Sequence, residues 1–312
     1  MKKVAILGAT GPTGKHLARI LAGRGVAVRV VSRSEPRLAK AFAGTAVERL
    51  AADLLDADGA RRAVAGCDTA FDCVGLPMEA MGDHPLIARQ VAAAARGTGC
   101  RLVQVSSFWS YLPVVRLPLD ESHPRTGGPF PVQARREAED ILQAAGAAIL
   151  HLPDFYGPEV HTGTLQNGLS DAIRDRPVGW IGSADLARDY AYVPDAMETA
   201  ARLAEKDAAY GERWIVPGAG PASLTRLLEI VAGHLGYLPK VRAAPPWLLR
   251  LLGRFNGPLR QFLPMVPLYA QPISYSGARL RGLLGENPVT PYEQGITATL
   301  DWLRRAVPSE VA

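Results

Sequence analysis

Three glycines, Gly8, Gly11 and Gly14, punctuate the run Gly8-Ala9-Thr10-Gly11-Pro12-Thr13-Gly14, which follows a short β-branched stretch and opens an amphipathic one. Glycine permits a tight turn, lets a ligand approach the main chain, and lets a helix press closely on a strand. Where such a turn starts a helix, free N–H groups and the positive end of the helix dipole point outward, an arrangement that suits a pyrophosphate. The chemistry implied for Gly8, Thr10, Gly11, Pro12, Thr13 and Gly14 is therefore the holding of a dinucleotide. A second cue follows at Val31-Ser32-Arg33-Ser34. Ser32 stands where an acid would bond ribose hydroxyls, and Arg33 offers a planar fork of donors, with Arg37 one turn later. That substitution favours a 2′-phosphate, so the expected cofactor is NADP(H).

Further along, Asp53-Leu54 is expected to flank the adenine, although Asp53 equally suits capping a helix that starts near Ala57. Val74 and Gly75 close a later strand above the cofactor path, where glycine again allows close backbone approach. Cys73 beside them reads as a small buried filler rather than a reactive thiol.

These residues need a scaffold that presents strand ends in a row. The first half of the chain supplies it by alternating apolar strands (Val4–Ala9, Val26–Arg33, Val47–Asp53, Thr69–Gly75, Arg101–Ser106, Ala147–Phe155) with helices (Thr13–Ala22, Pro85–Arg96, Pro131–Ala145). Continuous apolar strands separated by helices predict an α/β fold, a doubly wound parallel sheet of Rossmann type covered on both faces. Residues 1–157 are expected to form this dinucleotide-binding domain. Residues 158–312 are expected to form a smaller, mainly helical substrate-capping region, with 186–217 returning to the main sheet through a strand near Arg188–Val193. Ser223 predicts the cap of a helix over Ser223–Leu235. The apolar segment with Trp247, Leu248, Leu251, Phe255, Phe262 and Met265 suits a pocket for an apolar molecule, a local core, or a helix lying on a membrane surface with arginines at its edge. The last helix is expected over Tyr292–Arg305.

The chain has 312 residues, 48% hydrophobic and 21% charged, and a formal net charge of +5. Its Lys and Arg residues are interspersed with acids in no contiguous block, which argues against nucleic acid as a partner. Cys67, Cys73 and Cys100 have no metal-ligand spacing and fit a reducing compartment. No apolar run is long enough to span a bilayer. A cytoplasmic location and a small apolar organic substrate are the expectations.

With these motifs in order, the chain resembles the extended short-chain dehydrogenase/reductase superfamily, the NAD(P)-dependent epimerase/dehydratase group. The resemblance rests on the Gly8–Gly14 turn, Asp53-Leu54, Val105-Ser106-Ser107 with Tyr111 after it, and Leu152-Pro153-Asp154-Phe155-Tyr156-Gly157-Pro158. It continues through Arg188-Asp189-Tyr190-Ala191-Tyr192-Val193 and a closing helix near Thr299–Trp302. The resemblance implies hydride transfer at a carbon bearing a hydroxyl or carbonyl, a homodimer, and catalysis by a serine with a tyrosine placed four residues before a lysine.

The chain departs from that pattern at the centre of the chemistry. Ser107 fills the serine position, with Ser106 as the near alternative. Pro131 falls at the tyrosine position and Arg135 at the lysine position. Arg135 can hold ribose hydroxyls and supply positive charge but cannot shuttle a proton. Tyr111, expected to project into the pocket, and Asp154, among apolar neighbours, are the candidates to replace the missing acid. Asp154 suits backbone bonding in a loop as well, and His151 reads as a satisfied buried residue. An acid at 154 also disfavours a nucleotide-sugar substrate. The expected activity is an NADP(H)-dependent oxidoreductase acting on an apolar carbonyl or alcohol. The alternatives are a redox-neutral isomerase, dehydratase or lyase, or a non-catalytic NADP(H)-binding protein.

Overall fold

The computed structural model describes residues 1–269 and 271–306. The first half builds β1 (Lys3–Leu7), α1 (Pro12–Gly23), β2 (Ala27–Ser32), α2 (Glu35–Ala41), β3 (Glu48–Ala51), α3 (Ala57–Val64), β4 (Thr69–Asp72), α4 (His84–Thr98), β5 (Arg101–Ser107), α5 (Phe130–Ala144) and β6 (Ala148–Leu152). The second half adds β7 (Asp154–Tyr156), α6 (Thr164–Ala172), β8 (Val178–Ile181), β9 (Tyr190–Tyr192), α7 (Val193–Leu203), β10 (Arg213–Ile215), α8 (Leu224–Leu235) and β11 (Val241–Ala244). It ends with α9 (Pro246–Leu252), α10 (Gly257–Phe262), α11 (Val266–Tyr269), α12 (Ala278–Leu284) and α13 (Tyr292–Ala306).

Seven strands form one parallel sheet in the order β10-β6-β5-β4-β1-β2-β3. Val4, Ala5, Ile6 and Leu7 of β1 are fully buried because helices cover both faces, as a parallel sheet requires. The chain winds outward from β1 through β2 to β3, then crosses back to β4 and continues through β5 and β6. The order therefore reverses between β1 and β4, and a crevice opens there beyond the strand ends. One apolar layer, with Leu17, Leu21, Val30, Val103, Met197 and Ala200, lies on the α1–α7 side. The other, with Leu7, Ala60, Val64, Val91, Ala92 and Leu142, lies on the α3–α4–α5 side. The architecture is the expected doubly wound α/β fold with a helical C-terminal region.

Two details differ from the sequence expectation. The sixth strand stops at Leu152 rather than reaching Phe155, because Pro153 has no N–H to offer a ladder. Asp154–Tyr156 turns away and pairs in parallel with Tyr190–Tyr192. The strand near Arg188–Val193 accordingly does not rejoin the main sheet; within 186–217 only β10 does so, beside β6. The main chain at Arg188 is fixed elsewhere, bridging to Ala222 and Ile273 while its guanidinium donates to the carbonyls of Tyr269 and Gln271. Ser223 caps α8 as expected, its hydroxyl accepting from the Arg226 N–H at 3.2 Å. The last six residues of the expected C-terminal region, 307–312, lie outside the described residues. No helix among the described residues is long and apolar enough to cross a membrane.

Candidate active site

The carboxyl ends of β1 to β4 line one cavity of ≈ 780 Å3, inside the range of roughly 300–1,000 Å3 usual for small-molecule and cofactor sites. Gly8, Thr10, Gly11, Pro12 and Thr13 form its floor. Gly8 adopts φ +73°, and a Cβ there would lie 2.9 Å from the Cys73 carbonyl oxygen and from Val74 Cα. A Cβ on Gly14 would lie 2.6 Å from Ala9 Cα, so the third glycine sits beneath the cavity and lets α1 press on β1. Gly11 precedes the helix without any side-chain cap and Pro12 occupies its first turn, so the first free N–H groups of α1 remain available to a ligand.

At the β2 end, Ser32, Arg33, Ser34 and Arg37 share the wall. Both arginines are exposed, and neither guanidinium has an ion pair or hydrogen bond among the described residues. Asp53, Leu54, Val74 and Gly75 line the same cavity. Of the two roles open for Asp53, helix capping goes instead to Asp56, which accepts from the Gly59 N–H at 2.9 Å. Asp53 turns its own carboxylate to the Leu55 N–H at 3.0 Å. Cys73 is buried, and burial pushes its thiol well above the usual range, in keeping with a filler.

The sequence reading missed the opposite wall. Phe155, His161 and Thr162 close the cavity from the segment after β6. That segment is tied to α1: Glu159 accepts from Arg19 at 2.7 Å, and the His16 ring meets the Pro158 carbonyl at 3.0 Å. Asp83 and Ile87 contribute from the start of α4 and the turn before it. Pairings so distant along the chain leave no local periodicity to read.

The expected catalytic residues separate into three groups. Ser107 is half-buried at the end of β5 and accepts from the Trp109 N–H at 3.3 Å. Ser106 points the other way and donates its hydroxyl to Glu139. The structure thus distinguishes the two serines and leaves Ser107 as the available one. Glu139 is 0% exposed and also takes hydrogen bonds from His151 Nε2 at 3.0 Å and Arg125 at 2.7 Å. Burial would raise its carboxyl, but His151, Arg125 and the Ser106 hydroxyl outweigh burial and hold it down at about 2. His151 is therefore engaged through one nitrogen, while its Nδ1 has no partner among the described residues.

Arg135 stands one turn before Glu139 on α5; burial lowers its guanidinium pKa, opposed by the nearby carboxyls of Glu139 and Asp72. Its Nε has no hydrogen-bond partner. The same guanidinium, after burial, helps press the His84 imidazole down to about 2.

Tyr111 is a correction. Its ring is fully buried against His151, at 4.8 Å between centroids, and His123, at 6.1 Å. It does not reach the cavity, because the short helical turn Phe108–Tyr111 folds it into an apolar cluster with Leu112, Leu119 and Val132. Asp154 adjoins the cavity-lining Phe155. Burial raises its carboxyl pKa, opposed by hydrogen bonds from the Thr164 hydroxyl and the Thr164 N–H at 3.2 Å and by the charge of Arg188. Tyr269, absent from the sequence reading, lies near this group, its hydroxyl accepting from Trp109 Nε1 at 3.0 Å. Ser107, Arg135 and Asp154 stand beyond the lining of the nucleotide-sized cavity itself.

The apolar segment after β11 divides: the local-core reading holds for Phe262 and Met265 and fails for Trp247, Leu251 and Phe255. Met265 and Tyr269 join the cluster with Phe108 and Tyr111, but Trp247, Leu251 and Phe255 face solvent and line neither core nor cavity.

A family described as NAD(P)H-binding matches residues 8–150. A ketoreductase of Stigmatella aurantiaca, named for 4-hydroxy-2-methyl-3-oxo-4-farnesyl-3,4-dihydroquinoline-1-oxide, is 26% identical over 97% of this chain and 96% of its own. Sterol demethylase protein B of Methylococcus capsulatus is 27% identical over 83% of each chain. Among solved structures, UDP-glucuronic acid 4-epimerase of Bacillus cereus, determined with UDP-glucuronic acid and NAD, superposes with a TM-score of 0.82 at 14% identity, covering 98% of this chain and all of that one. Residues 8–150 match a family described as NAD(P)H-binding, and the whole chain shares the fold of UDP-glucuronic acid 4-epimerase and of a dTDP-glucose 4,6-dehydratase of Bacillus anthracis, the latter at a TM-score of 0.82 and 11% identity.

Proposed function

We propose that the protein is an NADP(H)-dependent reductase of a carbonyl group in a small apolar molecule. The observation that carries the choice of cofactor is the pair Arg33 and Arg37, two guanidiniums without a carboxylate partner among the described residues, at one end of a cavity floored by the glycine turn. When bound, the cofactor supplies the hydride.

The residues divide the remaining work. The main chain of Gly8–Gly14 and the start of α1 hold the pyrophosphate, and Arg33 grips the 2′-phosphate. Asp53 and Leu54 flank the adenosine, and Val74 and Gly75 border the path toward the nicotinamide end. There Arg135 supplies positive charge for the ribose hydroxyls in place of the lysine. The Ser107 hydroxyl donates to the substrate carbonyl oxygen. Asp154, kept protonated to higher pH by burial, would give that oxygen its proton, so that with the hydride the bound cofactor would supply, the carbonyl would become an alcohol. The names of two relatives support an apolar substrate, one a ketoreductase whose substrate carries a 3-oxo group and a farnesyl chain, the other a protein of sterol demethylation.

Consumption of NADPH with a panel of apolar ketones tests the proposal. Asp154→Asn is expected to lower kcat by roughly 10²- to 10⁴-fold, the usual contribution of a general acid, with NADPH affinity unchanged. A donor must hold its proton, so the wild-type rate falls as pH rises through the elevated Asp154 pKa, and the variant loses that limb. Substrate turnover without any net change in NADPH absorbance would replace this reading with a redox-neutral one.

A further inference from the structure

The chain has 35 Lys and Arg against 30 Asp and Glu, yet residues 230–285 contain seven bases and no acid at all. The excess positive charge of the whole protein therefore comes from this one segment, and the remainder is slightly acidic. Within it, α9 and the hydrogen-bonded turn that extends it bring Trp247, Arg250, Leu251, Arg254 and Phe255 to one face, at helical spacings of three and four.

That face is not used by the fold. Trp247 is 65% exposed, Leu251 47% and Phe255 88%. The opposite side is already packed: Leu249 is buried, and a Cβ on Gly253 would lie 2.7 Å from the Leu263 side chain. Arg242, Arg250, Arg254 and Arg260 are exposed, and none of their guanidiniums has an ion pair or hydrogen bond among the described residues. Three large apolar side chains standing in water beside unpaired cations call for a partner that is apolar within and anionic at its surface.

We propose that the Trp247–Phe255 face of α9 docks the protein on the surface of an anionic lipid bilayer. Trp and Phe insert at the level of the headgroups and upper acyl chains, while the arginines, whose stems reach outward, meet the phosphates. The attachment is peripheral, as no helix among the described residues can span. A second copy of the chain is a poorer occupant. A two-fold interface on this face would set arginines against the same arginines with no acid to separate them. The docked face also has a consequence for access. α10, next along the chain, packs against Met78–Asp83, and Asp83 lines the nucleotide cavity. An apolar substrate would then arrive from the acyl layer; this consequence rests on the function proposed above, and the docking itself does not.

Co-sedimentation of the full-length protein with vesicles tests the docking directly. Vesicles of phosphatidylcholine with phosphatidylglycerol are expected to bind it at least about tenfold more tightly than phosphatidylcholine alone, with binding lost at high salt. Arg250→Glu/Arg254→Glu and Trp247→Ser/Phe255→Ser are each expected to reduce binding about tenfold or more while leaving the melting temperature unchanged, because these side chains touch little of the fold. The salt and lipid dependence of the wild type decides the matter should either variant fail to fold. Equal binding to both vesicle types, no binding to either, or variants that bind like wild type would overturn the proposal. So would light scattering that finds a dimer dissolved by Trp247→Ser/Phe255→Ser, since a second copy would then own the face.

Discussion

Reversing the charge of Arg33 (Arg33→Glu) is expected to weaken NADPH binding about 100-fold, near 3 kcal/mol, while NADH affinity shifts by no more than roughly threefold. The 2′-phosphate distinguishes the two nucleotides, so only a group that touches it changes their ratio. In the proposed function Arg33 makes that contact; it follows β2, exposed on the cavity wall and without an ion pair among the described residues. Losing a charge-assisted hydrogen bond accounts for about half of the effect, and the repulsion of a carboxylate against a phosphate for the rest. Arg37 shares the wall, so Arg33→Ala alone is milder, and Arg33→Ala combined with Arg37→Ala approaches the charge reversal. Isothermal titration with each nucleotide measures the ratio. An equal loss of NADH and NADPH affinity would mean that Arg33 supports the pocket's shape rather than reading the phosphate.

The second large effect concerns the buried carboxylate of Glu139. Glu139→Gln is expected to destabilise the fold by about 3–5 kcal/mol, because removing one member of a buried ion pair leaves Arg125 with only the exposed Asp140 and takes the carboxylate acceptor from the buried His151 and Ser106. Arg125 would lose its 2.7 Å contact, and His151 and Ser106 would lose theirs. For a chain of this size the melting temperature should fall on the order of 10 °C. The pH dependence gives a second signature. The Glu139 carboxyl is held at about 2 in the fold against 4.5 unperturbed. Its stabilisation is complete above 4.5 and is lost as pH falls toward 2, so wild type and variant converge in acid and diverge above pH 4.5. Scanning calorimetry across that range checks both the size and the direction. A melting temperature unchanged at neutral pH would remove Glu139 from the account of stability.

The glycine turn was legible in the sequence because its signals are local. Gly8 and Gly14 mark backbone positions where an added Cβ would clash, and the strand that ends at Ser32 places Arg33 by simple succession. Strand identity in the parallel sheet was equally legible, since burial on both faces leaves continuous apolar runs such as Val4–Leu7. What failed depended on contacts between distant parts of the chain. Tyr111 follows Ser107 closely, yet its direction is set by a short helical turn and by packing against His123 and His151. Pro153 ended β6 early, a signal present in the sequence but outweighed by the apolar run around it. The partition of Ser106 to Glu139 and Ser107 to the open side follows from strand alternation, which puts neighbours on opposite faces. Which face held the carboxylate was not visible until α5 was laid on the sheet. The wall formed by Phe155, His161 and Thr162 needed the clamp of Glu159 on α1, more than a hundred residues away in sequence.

All of these assignments presuppose that the β1–β4 crevice takes up a 2′-phosphorylated dinucleotide. Titrating NADPH into the wild-type protein in a calorimeter addresses that most directly. Saturable binding of one NADPH per chain, at least roughly tenfold tighter than NADH, is the predicted result for a site that makes one good charge-assisted contact to the extra phosphate. Absence of heat and of competition with either nucleotide would contradict the account at its root.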